Sequence, residues 1–118
     1  MAGRIRKVQD GWIVEIDSGT VEWSNDIITL YNTTNDHTYS VVASADQYKQ
    51  EPGMGYDLDD EGTEDISVTW NDNDMNEEIN GGDTFFIEYK DDATIPKDQM
   101  DHYAFRLEGT SLQYLILG

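Results

Sequence analysis

Residues 11–17 read GWIVEID. In an extended chain successive side chains point to opposite faces, so Trp12, Val14 and Ile16 share one side and Ile13, Glu15 and Asp17 the other. The same period of two recurs along the chain. Val21 and Trp23 alternate in TVEWS after the turn DSG, Ile28 and Leu30 in DIITLYN, and Tyr39, Val41 and Ala43 in TYSVVAS. Past the middle come Ile66, Val68 and Trp70 in DISVTWN, Phe85, Ile87 and Tyr89 in DTFFIEYK, and Tyr103, Phe105 and Leu107 in HYAFRLE. The final SLQYLILG sets Leu112, Tyr114 and Ile116 on one side. About eight short strands result, rich in β-branched and aromatic residues and parted by Gly, Asn and Asp turns.

Helical periodicity never runs beyond two turns. Ser44 with Gln47 three residues on forms a capping-box pattern for one short helix. Pro96 in TIPKDQM stands where a first helical turn tolerates it. These signals predict an all-β fold: a single two-sheet β-sandwich of jelly-roll or immunoglobulin-like type, with one or two short helical turns in its connections. The first four strands are closely spaced, which predicts a meander. The segment 45–65, ADQYKQEPGMGYDLDDEGTED, predicts a long solvated crossover to the second set. At 118 residues the chain suits one core. Residues 11–118 are expected as the sandwich domain, and residues 1–10 as a basic arm carrying Arg4, Arg6 and Lys7.

Charge is the most informative feature of composition. Asp and Glu total 25 against seven Lys plus Arg, a formal net charge of −18. Residues 1–50 hold seven acids and four bases, residues 51–101 hold 17 acids and two bases, and residues 102–118 hold one of each. Such an excess repels itself in dilute salt and destabilises a compact state. At molar salt the Debye length falls to about 3 Å and the repulsion is largely screened. The composition, with many short carboxylates and few lysines, resembles that of proteins from extreme halophiles. Cysteine is absent, so no disulfide or thiolate site supports the fold. No run approaches the roughly 18–20 apolar residues of a membrane helix. MAGRIRKVQDGW lacks the apolar stretch of a secretory signal, so none is expected.

Metal-binding patterns come next. DNDMNEEINGGD (72–83) aligns with an EF-hand calcium loop at Asp72, Asp74 and Asn76, with Asp83 at the twelfth position. It departs from the pattern in having Glu77 at the sixth position, where Gly is usual, and in lacking the closing Glu. A second stretch, DLDDEG, sets Asp57, Asp59, Glu61 and Gly62 at matching offsets, but its twelfth position is Val68, which cannot ligate. Calcium is therefore the one cofactor the sequence raises, against the reading of both loops as solvated acids.

Catalytic signatures are sparse. His37 and His102 have no partner at HxH or HxxxH spacing. No G-x-S-x-G elbow and no phosphate-binding glycine loop occurs. The three tryptophans lie in phase with the aliphatic residues of their strands, which places them in a core rather than on a sugar platform. Tyr48 and Tyr56, in the long acidic segment, read as free contact residues. Phosphate recognition needs a basic footprint, so nucleic-acid binding is not expected.

The closing residues are uncharged, and Leu115, Ile116 and Leu117 are apolar on both faces of a strand. Such a strand is covered on both sides or paired along its edge. Arg4, Arg6, Lys7, Tyr114, Leu115 and Leu117 are accordingly expected at contacts with other chains, in a homo-oligomer or a larger particle. An acidic, all-β chain of this kind resembles the capsid-decoration or tail components of haloarchaeal viruses. That resemblance implies a non-enzymatic structural role in a virion, or a cytoplasmic one at high salt. The segment GDTFFIEY is similar to extracellular domains of archaeal pilins, whose apolar N-terminal helix has no counterpart here. A calcium- or carbohydrate-binding sandwich is the alternative, and an acidic mimic of nucleic acid the third reading.

Overall fold

The computed structural model describes residues 1–112 and 114–118. In chain order the elements are β1 (Ala2–Val8), β2 (Gly11–Ser18), β3 (Thr20–Glu22), β4 (Ile28–Asn32), β5 (His37–Ser40), the one-turn helix α1 (Ala45–Tyr48), β6 (Met54–Tyr56), β7 (Ile66–Asn71), β8 (Glu78–Asn80), β9 (Thr84–Tyr89), a 3-10 helix (Lys97–His102), β10 (Tyr103–Leu107) and β11 (Leu115–Ile116). All pairing is antiparallel. One sheet has the order β1-β2-β9-β7-β6, a second β11-β10-β4-β5, and β3 and β8 form a two-stranded ribbon. The fold is all-β and sandwich-like.

The period-two residues form the core between the sheets. Trp12, Val14 and Ile16 of β2, Ile66, Val68 and Trp70 of β7, and Phe85 and Ile87 of β9 are buried from one side. Ile28 and Leu30 of β4 and Phe105 and Leu107 of β10 meet them from the other. Phe85 and Phe105 join across the gap, ring centroids 5.2 Å apart. Each fully buried aliphatic or phenylalanine side chain contributes about 1.5–3 kcal/mol. Surface ion pairs contribute roughly 0–1 kcal/mol, so burial dominates the stability. The capping box at Ser44 and Gln47 is present. Pro96 caps the 3-10 helix from just outside it, its carbonyl accepting the Gln99 amide at 2.9 Å.

Three expectations are corrected. The early strands make no meander. Of the four strands expected there, β2 pairs with β9, whose residues lie some seventy positions later, β3 pairs with β8, and β4 and β5 alone stay neighbours. The first residues are not an arm, because residues 2–8 pair with β2 through seven register positions. Ile5 packs against the core and Gly3 is half-buried, while Arg4, Arg6 and Lys7 are exposed, so charge masks an alternating strand. The last segment does not set Leu112, Tyr114 and Ile116 on one side. Leu112 and Leu117 are buried, Leu115 is half-buried, and Tyr114 and Ile116 face outward. Leu117 fills its own core rather than an interface, and its amide donates to the Tyr103 carbonyl at 2.9 Å.

Candidate functional site: carboxylate loops and an acid-poor edge

The chain leaves β7 at Asn71 and turns sharply through residues 72–77. Asp72 opens this loop, and its Oδ2 accepts the Glu77 amide at 2.7 Å and faces Lys49 Nζ at 3.3 Å. Its side chain is only 1% exposed. Asp74 Oδ2 accepts Asn80 Nδ2 at 2.9 Å. The buried Asp83 reaches back to the loop, accepting the amides of Asn73 and Asn80, both at 3.2 Å. One carboxylate oxygen each from Asp72, Asp74 and Asp83 lies within 4.8 Å of the others. Asn76 is exposed, and its Oδ1 accepts the Glu78 amide at 2.9 Å. Burial pushes the Asp83 carboxyl above the usual carboxylate range, against the two amide hydrogen bonds. The Asn80 hydrogen bond holds Asp74 below it.

A second triad forms at the other end of β7. One oxygen each from Asp57, Asp59 and Asp65 lies within 4.8 Å of the others. The two loops share a turn. In each, the first carboxylate accepts the amide five residues on, Gly62 to Asp57 at 2.9 Å and Glu77 to Asp72. In each, the fourth and sixth residues take positive φ: Asp60 at 57° and Gly62 at 87°, then Met75 at 56° and Glu77 at 60°. Glu77 thus adopts the backbone for which glycine is usual, at a cost of order 1–3 kcal/mol for a non-glycine residue. Burial raises the Asp57 carboxyl, but the Gly62 and Asp59 amides outweigh it and hold the net pKa low.

The triads differ in how their acids are satisfied. Asp65 is fully buried and accepts the amides of Leu58 and Thr94 at 2.9 Å and of Ile95 at 3.2 Å, with Thr94 Oγ1 at 3.2 Å. Asp59 Oδ2 accepts the same hydroxyl at 2.5 Å. This triad ties the segment 57–65 to the segment after β9. Around Asp72, by contrast, Asp72 Oδ1 and Asn80 Oδ1 are buried with no hydrogen-bond donor.

Tyr48 and Tyr56, expected as free contacts, are 1% and 2% exposed. Their hydroxyls bond each other, and Tyr56 Oη donates onward to the Ile28 carbonyl at 2.9 Å. A phenol can be buried once its hydroxyl is partnered, and here each partners the other. Trp12 and Trp70 are buried, and Trp23 stacks on Trp70 with centroids 5.0 Å apart, so none offers an open platform. His37 and His102 are both exposed. His37 lies edge-on to Tyr39 at 4.5 Å, and His102 Nε2 stands 3.8 Å from Asp101.

One lateral side of the molecule is poor in acids. β1 ends one sheet and β11 the other, and these two edge strands approach each other. Neither contains Asp or Glu. Arg4 contacts Glu15 at 3.4 Å and Asp17 at 3.2 Å on β2, and Arg6 Nε contacts Glu15 at 2.9 Å. The Arg6 and Arg4 guanidiniums hold Glu15 below the usual carboxylate range. On the adjoining sheet face Tyr31 stacks on Tyr114 at 4.6 Å, and Arg106 lies over Tyr114 while its Nη1 donates to Tyr114 Oη at 2.6 Å. Ile116, just beyond, is 53% exposed.

Sequence reasoning missed Lys49, Asn80 and Asp65 around the triads, and Tyr31, Arg106 and Ile116 at the edge. Asp65 and Asn80 did carry a signal, each at the ninth position counted from Asp57 and from Asp72, an offset the calcium pattern uses. Lys49 joins from the end of α1, and Tyr31, Arg106 and Ile116 meet through strand pairings distant in sequence. Comparison with family models, curated proteins and solved structures gave no match.

Proposed function

We propose that this chain is a non-enzymatic structural module that acts by assembly, with copies meeting along the edge where β1 and β11 lie side by side. One observation carries the reading: the two acid-free strands, at opposite ends of a strongly acidic sequence, converge on a single side of the fold. Tyr114 and Ile116 are exposed there, and Arg4, Arg6 and Lys7 line the rim. Contact at this side joins strands that carry no acids, so it does not set like charges of those strands together. An apolar contact with a charged rim also tolerates molar salt, since apolar burial does not rest on unscreened charge.

The same reading extends to setting. An acidic β-sandwich held in brine and joined to others by one edge fits a component of a haloarchaeal virion, such as a capsid-decoration or tail protein. Among the described residues no helix is long and apolar enough to cross a membrane.

Sedimentation of the wild type and of Ile116→Lys in molar potassium chloride tests the proposed edge. The wild type is expected to sediment as a discrete oligomer and the variant as a folded monomer. An oligomer unchanged by Ile116→Lys and by Tyr114→Asp places the contact elsewhere and overturns the edge assignment.

A further inference from the structure

We infer that the loop after β7 binds a hard divalent cation of calcium size, with Asp72, Asp74 and Asp83 as its carboxylate ligands. Clustered acids alone do not require a cation, and the triad at Asp57, Asp59 and Asp65 shows why. There the most buried acid, Asp65, has donors on both oxygens. At Asp72 the situation is different. Its side chain is 1% exposed, Oδ2 is taken by the Glu77 amide and Lys49, and Oδ1 has no donor at all. With Oδ2 so engaged, Oδ1 is the Asp72 oxygen free to take a ligand. Asn80 Oδ1 is likewise buried without a donor, while Asn80 Nδ2 is fixed on Asp74.

Two buried oxygens of this loop, one on Asp72 itself and one on Asn80, therefore lack donors, with Lys49 as the cation in contact with Asp72. Oxygens are what calcium takes, six to eight of them at about 2.3–2.6 Å, from carboxylates, amide carbonyls and water in irregular geometry. Oxygens sharing one such ion lie no more than about 5 Å apart, and the three carboxylates meet that bound at 4.8 Å. A buried anionic oxygen without a donor is costly, and a cation ligated there satisfies it directly. The site needs no contact between chains, so it stands or falls apart from the assembly reading.

The position of Trp70 supplies a readout. Lys49 Nζ lies 3.3 Å from Asp72 Oδ2 and 5.0 Å from the Trp70 ring centroid, which puts the indole beside the loop. Terbium chloride is titrated into the full chain in molar potassium chloride, lanthanide emission is followed on tryptophan excitation, and calcium chloride is then added in excess. The expected result is saturable sensitised emission that calcium reverses. Asp72→Asn and the exposed Asp74→Asn each weaken terbium binding by about tenfold or more, and Asp57→Asn leaves it unchanged. Should Asp72→Asn fail to fold, Asp74→Asn decides the matter alone. Absence of saturable emission, equal binding by Asp74→Asn, or a loss that follows Asp57→Asn instead overturns the assignment.

Discussion

Asp65 sits at 0% exposure beneath the turn that follows β6, accepting main-chain amides from two separate segments. Removing its carboxylate strands those donors inside the protein. Each buried unsatisfied group costs about 1–3 kcal/mol. Asp65→Ala should therefore lower stability by roughly 3 kcal/mol or more, read from denaturant midpoints. Asp65→Asn, which keeps one acceptor, should lower it less. Tyr48 and Tyr56 give a second prediction at this scale. Burial pushes the Tyr48 phenol up to about 12, and Tyr56 well above its ordinary value. A tyrosine in the unfolded chain titrates near about 10. Above that value the unfolded state releases protons that the folded state keeps, so stability is full below pH about 10 and falls as pH rises toward about 12. Melting temperatures across this window should fall less steeply for Tyr48→Phe than for the wild type, and equal slopes would count against the buried pair. Neither role was legible from composition. An acidic loop looks the same in sequence whether its tyrosines face water or each other, because the partner of a hydroxyl is set by tertiary approach.

The strands themselves were largely legible, and their partners were not. Alternation in DISVTWN and DTFFIEYK marks β7 and β9 because one face is apolar, and register follows from which face must be buried. Nothing local tells β2 to pair with β9 rather than with β3. β1 was hidden for a different reason: its outward positions carry Arg4, Arg6 and Lys7, while its inward ones include a glycine. Gly3 is held there by close approach, since a Cβ would stand 2.8 Å from the Glu15 carbonyl oxygen. β11 and its flanks anchor the other edge. Leu117→Ala should cost about 2–5 kcal/mol, as for a buried leucine whose cavity does not collapse. Arg4→Ala should shift the melting temperature far less, and not at all once molar salt screens its pairs with Glu15 and Asp17. A larger loss from Arg4→Ala than from Leu117→Ala would mean that ion pairs, not packing, secure this side.

Across the whole molecule a net charge of −18 is carried on a radius of gyration of 13.1 Å. Carboxylate loops occupy both ends of β7, while the β1–β11 side is free of acids in its strands. The uneven charge was plain in the sequence. The meeting of the two acid-poor strands was not, because they are separated by nearly the entire chain. Of the candidate metal set, Asp72, Asp74 and Asp83 were found from spacing alone and do converge, and Asn80 lies within the same stretch, whereas Lys49 reaches the loop from the end of α1, which the spacing cannot connect. The central claim is that self-repulsion holds copies apart in dilute salt and that screening lets the acid-poor edge join them. Molar mass by light scattering across a series from dilute to saturated potassium chloride tests it most directly. A rise from monomer to one defined oligomer as salt increases is the predicted result, and a monomer at every salt concentration would contradict it.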